Sequence, residues 1–249
     1  MSEDNWLDMG RATLPEIRDF VSRHPFAILP VGSTEQHGPH LPTNTDTLIA
    51  EAIARETAKL STGLVLPAVP LGYAWVWKDV PASLTLGFET YMRVIRDTVD
   101  SLSRWGVKAV YIMSGHGSNP QPVKHALREL VHEQIDIKVL YGMYAGLATM
   151  TQEAESETWH GDLHAEEIET SLMLAIAPEL VRMELAASDY PPAPPDYGKS
   201  ELSMGHLMRS GVFGDPTKAT AEKGRRWLDL AARESAALWS GYLSRHNLA

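Results

Sequence analysis

The sequence predicts an α/β fold: a single-domain, three-layer α/β/α arrangement around a mostly parallel central sheet. Two observations carry this. Short runs rich in Val, Ile and Leu recur along the chain, and amphipathic stretches with helical spacing separate them. Strands that are apolar on both faces need helices on each side, and parallel strands need long crossovers, so the two patterns belong together. A third observation is positional: two loops bearing histidine and glycine sit just past the ends of two such runs, where open sheets of this kind place their ligands.

The elements follow in order. "ATLPEIRDFVSRH" reads as a helix opened by Thr13 and Glu16 in capping-box spacing, with Pro15 tolerated in the first turn, and it leads into the buried-strand candidate "FAILPV". A second helix starts near Asp46 and runs through "TLIAEAIARETAKL". The strand "GLVLPAVPLG" follows, then a helix across "ETYMRVIRDTVDSLSRW" closed by Gly106, then the strand "VKAVYIM" ending at Met113. "SGHGSNPQPVKHALRELVHEQ" is a Gly-rich turn into a helix, and "IKVLYGMY" is the next strand. Helices at about Ala165 to Ile176 and Ala221 to Arg245 finish the chain. No fixed-period repeat occurs. The Pro-rich "YPPAPPDYG" (Tyr190 to Gly198) is too short to join domains, so it reads as a long surface loop and residues 1–249 as one domain.

Composition narrows the function. With 249 residues, 44% hydrophobic and 22% charged, the chain is long enough to bury a full core. A net charge of −10 argues against nucleic acid and anionic membrane, both of which call for a basic surface. No run approaches the ~18 apolar residues of a membrane span. The start "MSEDNWLDMG" is acidic where a signal peptide would be basic and then apolar. The expectation is a soluble, cytoplasmic protein with a small-molecule partner, no nucleic acid and no membrane. The absence of cysteine removes disulfides, thiolate nucleophiles and sulfur-ligated zinc, so any metal must be held by imidazole and carboxylate.

The segment "PVGSTEQHGPHLPTNTD" gathers Glu35, His37 and Asp46 on a stretch too broken by proline and glycine to be a helix or strand, and "SGHGSN" adds His116 from the other strand-end loop. Two imidazoles and two carboxylates suit Zn²⁺, Mn²⁺ or Fe²⁺, and one carboxylate can bridge two ions through its two oxygens. Each residue alone has a simpler explanation: solvated loop carboxylates, Asp46 capping its helix, histidines satisfying local backbone. The four together on two strand-end loops favour a metal site. "WHGDLHAEEIETSLMLAIAP" contributes His164, Glu166, Glu167 and Glu169. Acidic first-turn residues suit the helix dipole, which accounts for Glu166 and Glu167, whereas Glu169 sits deeper beside apolar residues and needs a metal or cation. Trp75, Trp77 and Trp159 flank the predicted site, where aromatic walls suit a flat heterocycle; core packing serves each equally well.

Other motifs fall short. "GHGSNP" lacks the lysine of a P-loop and the third glycine of a dinucleotide fingerprint. Ser118 is not in a nucleophile elbow, and the "HAE" at His164 lacks the cysteine pair of the zinc deaminases.

Together "GSTEQHGPHLPTNTD", "SGHGSN", "HAEEIETSLML" and "GVFGDPTKAT" resemble the creatininase (creatinine amidohydrolase) family, over about Pro30 to Gly224. The resemblance implies an α/β domain with one or two divalent ions, zinc first and manganese or iron next, and hydrolysis of amide-type C–N bonds outside peptides. It also implies a homo-oligomer, a hexamer by family pattern. Glu35, Asp46 and His116 would bind one metal, Asp46 would bridge, and His37 would face the second, with Glu169 completing it or orienting a ligand. His164 would deliver a proton to the leaving nitrogen. Two positions depart from the pattern. Ser118 stands where creatininase itself has a glutamate ligand, which puts creatinine in doubt as the substrate and assigns Ser118, with the three tryptophans, to the substrate pocket. Glu166 stands where the family helix usually begins with glycine, narrowing or recharging the pocket. The expected activity is hydrolysis of a small cyclic amide, creatinine-like or a lactam or imide. A deformylase of a heterocyclic formamide on the same residues is the nearest rival, and a metal-stabilised binding or maturation protein without turnover is the rival from another class.

Overall fold

Branched apolar side chains pack well on a pleated surface covered from both sides, and the segment Phe26–Val31 (β2) takes that form with all six residues buried. In this computed structural model, which describes residues 5–248, β2 is the middle strand of a five-stranded sheet. The others are β1 (Trp6–Asp8), β3 (Gly63–Val65), β4 (Ala109–Ser114) and β5 (Lys138–Met143). The order is β1-β3-β2-β4-β5 and every pairing is parallel. β2 and β4 match residue for residue from Phe26 beside Ala109 to Val31 beside Ser114.

Successive strand residues point to opposite faces, so β2 feeds two cores. Phe26 and Ile28 pack with Ile49, Ile53 and Trp239 on one side, while Ala27, Leu29 and Val31 pack with Tyr91, Ile95 and Val99 on the other. The first core is covered by α2 (Thr45–Leu60), α6 (Glu167–Ile176) and α8 (Ala221–Arg245), and the second by α1 (Leu14–Arg23), α3 (Phe88–Arg104) and α4 (Pro120–His132). Right-handed crossovers explain the division: the step from β2 to β3 runs back across the sheet while the others run forward, so α2 alone of the crossover helices lands on the opposite face. Short helices α5 (Leu147–Glu153) and α7 (Met204–Leu207) lie in the later connections.

The three-layer architecture matches the sequence expectation. α1 has Thr13 at its N-cap, and Glu16 Oε2 accepts from the Thr13 N–H at 2.6 Å. The strand expected over Gly63–Gly72 ends at Val65, because Pro67 and Pro70 have no N–H to give a ladder; beyond it the Leu66 N–H still donates to Ile28 O at 2.9 Å, and the chain bridges to β2 again at Val31–Val69. The edge strand β1 and helices α5 and α7 were not expected, each being too short to show a period. The helix expected from Ala165 starts at Glu167, capped by the Glu166 carboxylate.

Candidate metal centre

The connections that leave the neighbouring strands β2 and β4 go to opposite faces, which opens a crevice at their carboxyl ends. The loop after β2 carries Glu35 and His37 and ends in Asp46, in the first turn of α2. The loop after β4 carries His116. Their approach depends on Gly115, where a Cβ atom would stand 2.1 Å from the Asp46 carbonyl oxygen. Asn119 locks the crevice: its side chain donates to Gly32 O at 2.9 Å and accepts from the Tyr73 N–H at 2.9 Å.

All four of these residues are buried, and with the half-buried Glu169 of α6 they arrange as two trios that share Asp46. In the first, His116 Nδ1 lies 3.2 Å from Glu35 Oε2 and 3.1 Å from Asp46 Oδ2. His116 Nε2 faces Tyr73 O at 3.2 Å, so in the neutral ring that nitrogen carries the donated proton and Nδ1 offers its lone pair toward the carboxylate oxygens. In the second, His37 Nε2 lies 3.0 Å from Asp46 Oδ1 and 3.7 Å from Glu169 Oε2, while its Nδ1 donates to Glu35 O at 3.1 Å. Asp46 Oδ2 is buried and, with His116 neutral and Nδ1 bare, has no hydrogen-bond donor among the described residues. An orphaned oxygen facing lone pairs calls for a cation, and oxygen and imidazole donors within 4.8 Å of one another fit a divalent ion. Asp46 therefore does not cap its helix; Asn44 occupies that position.

Electrostatics agree with the geometry. Burial pushes His37 down, but Asp46, Glu169 and Glu35 outweigh it and lift the imidazole to about 10. His116 is raised well above its usual value by Glu35 and Asp46 against the same burial penalty. Asp46 is held below the carboxylate range by His37 and His116 despite its burial. Protons on these imidazoles fill the place that a metal would take. Glu35 is fixed by donors outside the trios, with Ser33 Oγ at 2.6 Å from Oε2 and Trp77 Nε1 at 2.9 Å from Oε1. Such supporting bonds orient ligands and tune the ion.

His164 sits over this floor, with Nδ1 3.7 Å from Glu35 Oε1 and its ring 4.5 Å from those of His37 and Trp77. It also forms a ligand-capable trio with Glu35 and His37. Its Nε2 lies 2.8 Å from the amide nitrogen of Gln36 and 2.9 Å from the Gln36 carbonyl oxygen. It accepts from the first in one neutral tautomer and donates to the second in the other, so either position of the proton has a partner. Burial and then His37 push its pKa well below the usual value, so His164 is neutral near pH 7.

A cavity of about 360 Å³ opens above, and Ser118, Trp77, Tyr144, Asp162, Glu166 and Tyr197 are among its walls. Trp75 and Trp159 are not. Trp75 lies under Lys78, and Trp159 stands behind the wall, donating to Pro191 O at 2.6 Å and packing on Tyr197. Glu166 lines the cavity while its oxygens accept from the N–H groups of Ile168 and Glu169, and burial with Glu169 beside it pushes the carboxyl up to about 8. Glu167 is structural, paired with Lys223 at 2.6 Å. Sequence reasoning passed over Ser33, Gln36, Asn119, Tyr144, Asp162 and Tyr197. Ser33 and Gln36 stand within the first motif. Tyr197 was hidden in the Pro-rich segment, taken there for plain surface loop.

Residues 10–239 match the family model Creatininase: Creatinine amidohydrolase. The chain belongs to the creatininase family. Within that family it is 33% identical over 233 residues to the mycofactocin precursor peptide peptidase of Mycobacterium tuberculosis, covering 88% of this chain and 85% of the relative. It is 31% identical over 222 residues to the creatinine amidohydrolase of Pseudomonas putida, covering 83% and 85%. A crystal structure of a creatinine amidohydrolase (creatininase) superposes with a TM-score of 0.83 at 28% identity, covering 96% of this chain and 98% of that one. Solved creatininases of similar fold include a manganese form and a Zn-Zn type. As a creatininase-family protein the chain is a hydrolase with a metal-capable residue cluster, and among the described residues no helix is long and apolar enough to cross a membrane.

Proposed function

We propose that this protein is a metal-dependent amidohydrolase that cleaves the C–N bond of a small cyclic amide, creatinine-like or of lactam or imide type, by metal-activated water. The observation that carries the reading is the pair of trios back to back on the two oxygens of Asp46 at the floor of the cavity. Glu35, Asp46 and His116 would hold one ion, and His37, Asp46 and Glu169 a second. Glu169, from α6, supplies the carboxylate that Ser118 cannot. Zinc is the first choice and manganese or iron the next, since the donors are imidazole and carboxylate. A divalent ion bound here supplies an acidified water and a Lewis acid for the carbonyl.

The chain's own residues do the rest. Ser33 and Trp77 keep the Glu35 oxygens aimed at the first trio. His164, neutral at the outset with its Nε2–H donated to the Gln36 carbonyl oxygen, takes at Nδ1 the proton that the attacking water loses and hands it to the leaving nitrogen. A cavity of about 360 Å³ is at the small end of ligand pockets, which supports a small amide. A second reading, cleavage of an amide bond in a peptide, is favoured by the mycobacterial relatives, which are named as peptidases of a precursor peptide. The proposal includes a homo-oligomer, a hexamer by family pattern, acting in the cytoplasm; light scattering on the eluted protein measures the assembly.

The test is elemental analysis of the purified protein followed by assay of cyclic amides, linear amides and short peptides before and after chelation. Bound zinc, manganese or iron, and cyclic-amide hydrolysis lost on chelation and restored by metal, are expected. Less than about 0.2 ion per chain with no gain on adding metal would refute the metal site. Turnover of peptides alone would select the second reading.

A further inference from the structure

The cavity wall is rich in carboxyl groups. It includes the carboxylates of Glu35, Asp46, Asp162, Glu166 and Glu169 and not one lysine or arginine. Glu35, Asp46 and Glu169 belong to the trios, and Glu166 gives both its oxygens to the first amides of α6. Asp162 remains. It is exposed while Glu35, His37, Asp46 and His116 are buried, which puts it at the mouth. Its Oδ2 accepts from the Tyr197 hydroxyl at 2.9 Å, and its other oxygen makes no hydrogen bond among the described residues.

This mouth is fixed in place. Asp162 and Trp159 exchange both backbone hydrogen bonds, at 3.1 and 2.9 Å, across a tight turn in which His160 and Gly161 both have positive φ, 52° and 88°. A non-glycine residue held at positive φ is a strained feature that needs support from its surroundings. Trp159 supplies it, with its ring 4.8 Å from that of Tyr197 and its Nε1 bonded to the Pro-rich loop. A carboxylate held beside an aromatic ring is a site for an ammonium or amidinium group: the carboxylate neutralises the charge and the ring face attracts it.

Resting on the amidohydrolase reading, we infer that the natural substrate is a cationic amide, whose positively charged group, away from the scissile bond, is held at the mouth by Asp162 and Tyr197. An anionic substrate would meet no lysine or arginine in the cavity, and the net charge of −10 concentrates cations around the whole molecule.

The experiment uses the metal-loaded full chain and three cyclic amides that share one ring and carry an ammonium, a hydroxyl or a carboxylate on the same side arm. The ammonium compound should exceed the hydroxyl compound in kcat/KM by about tenfold, with the carboxylate compound lowest. Asp162→Asn should bring the ammonium-to-hydroxyl ratio near one, and Asp162→Lys should move the preference toward the carboxylate, with metal content unchanged in both. Equal rates, or a preference for the carboxylate in the parent protein, overturn the inference while leaving the amidohydrolase reading standing. If none of the three is hydrolysed, the cyclic-amide reading is what fails. Calorimetric binding of the same compounds then decides the inference separately: a preference for the ammonium compound that Asp162→Asn removes supports it, and no such preference overturns it.

Discussion

Asp46 offers Oδ1 to the His37 side and Oδ2 to the His116 side, so one substitution there strips both proposed ion sites. Asp46→Ala should abolish high-affinity metal binding altogether, whereas His37→Ala should empty only the second site. Metal titration followed by elemental analysis distinguishes them, and equal loss of a single ion in both variants would rule out the bridge. His164 makes the opposite case. Because Nε2 rests on Gln36 and Nδ1 stands 3.7 Å from Glu35, His164→Ala should keep its metal and fold but lose about 10²–10⁴-fold in kcat, while amides with good leaving groups lose much less. Metal loss in proportion to activity would instead make His164 a ligand, as its trio with Glu35 and His37 permits.

At the scale of elements, the site is a junction between the loop after β4 and the first turn of α2. Gly115→Ala would force a Cβ atom to within 2.1 Å of the Asp46 carbonyl, and because that atom is backbone, the helix start must move. The expected cost is about 1–3 kcal/mol in denaturant unfolding, accompanied by weaker metal binding. Unchanged affinity would show that Asp46 can be placed without this contact. The approach of α6 matters equally, since it brings Glu169 to His37, and the His40 to Thr170 hydrogen bond at 2.9 Å ties that helix to the ligand loop.

For the whole molecule, the metal-free protein carries protons where the ions would sit. The His37 pKa of about 10 lies above its unfolded value near 6.5, so its stabilisation is complete below about pH 6.5 and is lost as the pH rises toward 10. Glu166 at about 8 and Glu169 at about 7, both raised above the usual 4.5, act in the same direction at lower pH. His164 and His40, both pushed below the usual value by burial, act the other way below about pH 6.5, so the Tm of the chelated protein should fall from about pH 7 to pH 10. Metal-loaded protein should be more stable and lack the His37 part of this fall, because bound ligands are already deprotonated. A chelated Tm that rises across that window would contradict the proton-filled site.

Much of this protein was legible in its sequence. Local patterns determined the strand FAILPV, the capped α1, the turn at Gly106 and the parallel three-layer order, because period and capping chemistry act over a few residues. The family motifs were read in the same way, and the clustering of Glu35, His37, Asp46 and His116 followed from two loops leaving the carboxyl ends of strands that proved adjacent. Only the tertiary structure decided that Asp46 faces both trios with one oxygen each, that Gln36 holds His164, and that Trp159 backs Tyr197 instead of lining the cavity. Side-chain direction and long-range contact settle these points. The Gln36 to His164 contact spans 128 residues and that of Trp159 with Pro191 spans 32, and no pattern within a short window encodes which partner across such a gap a side chain will meet.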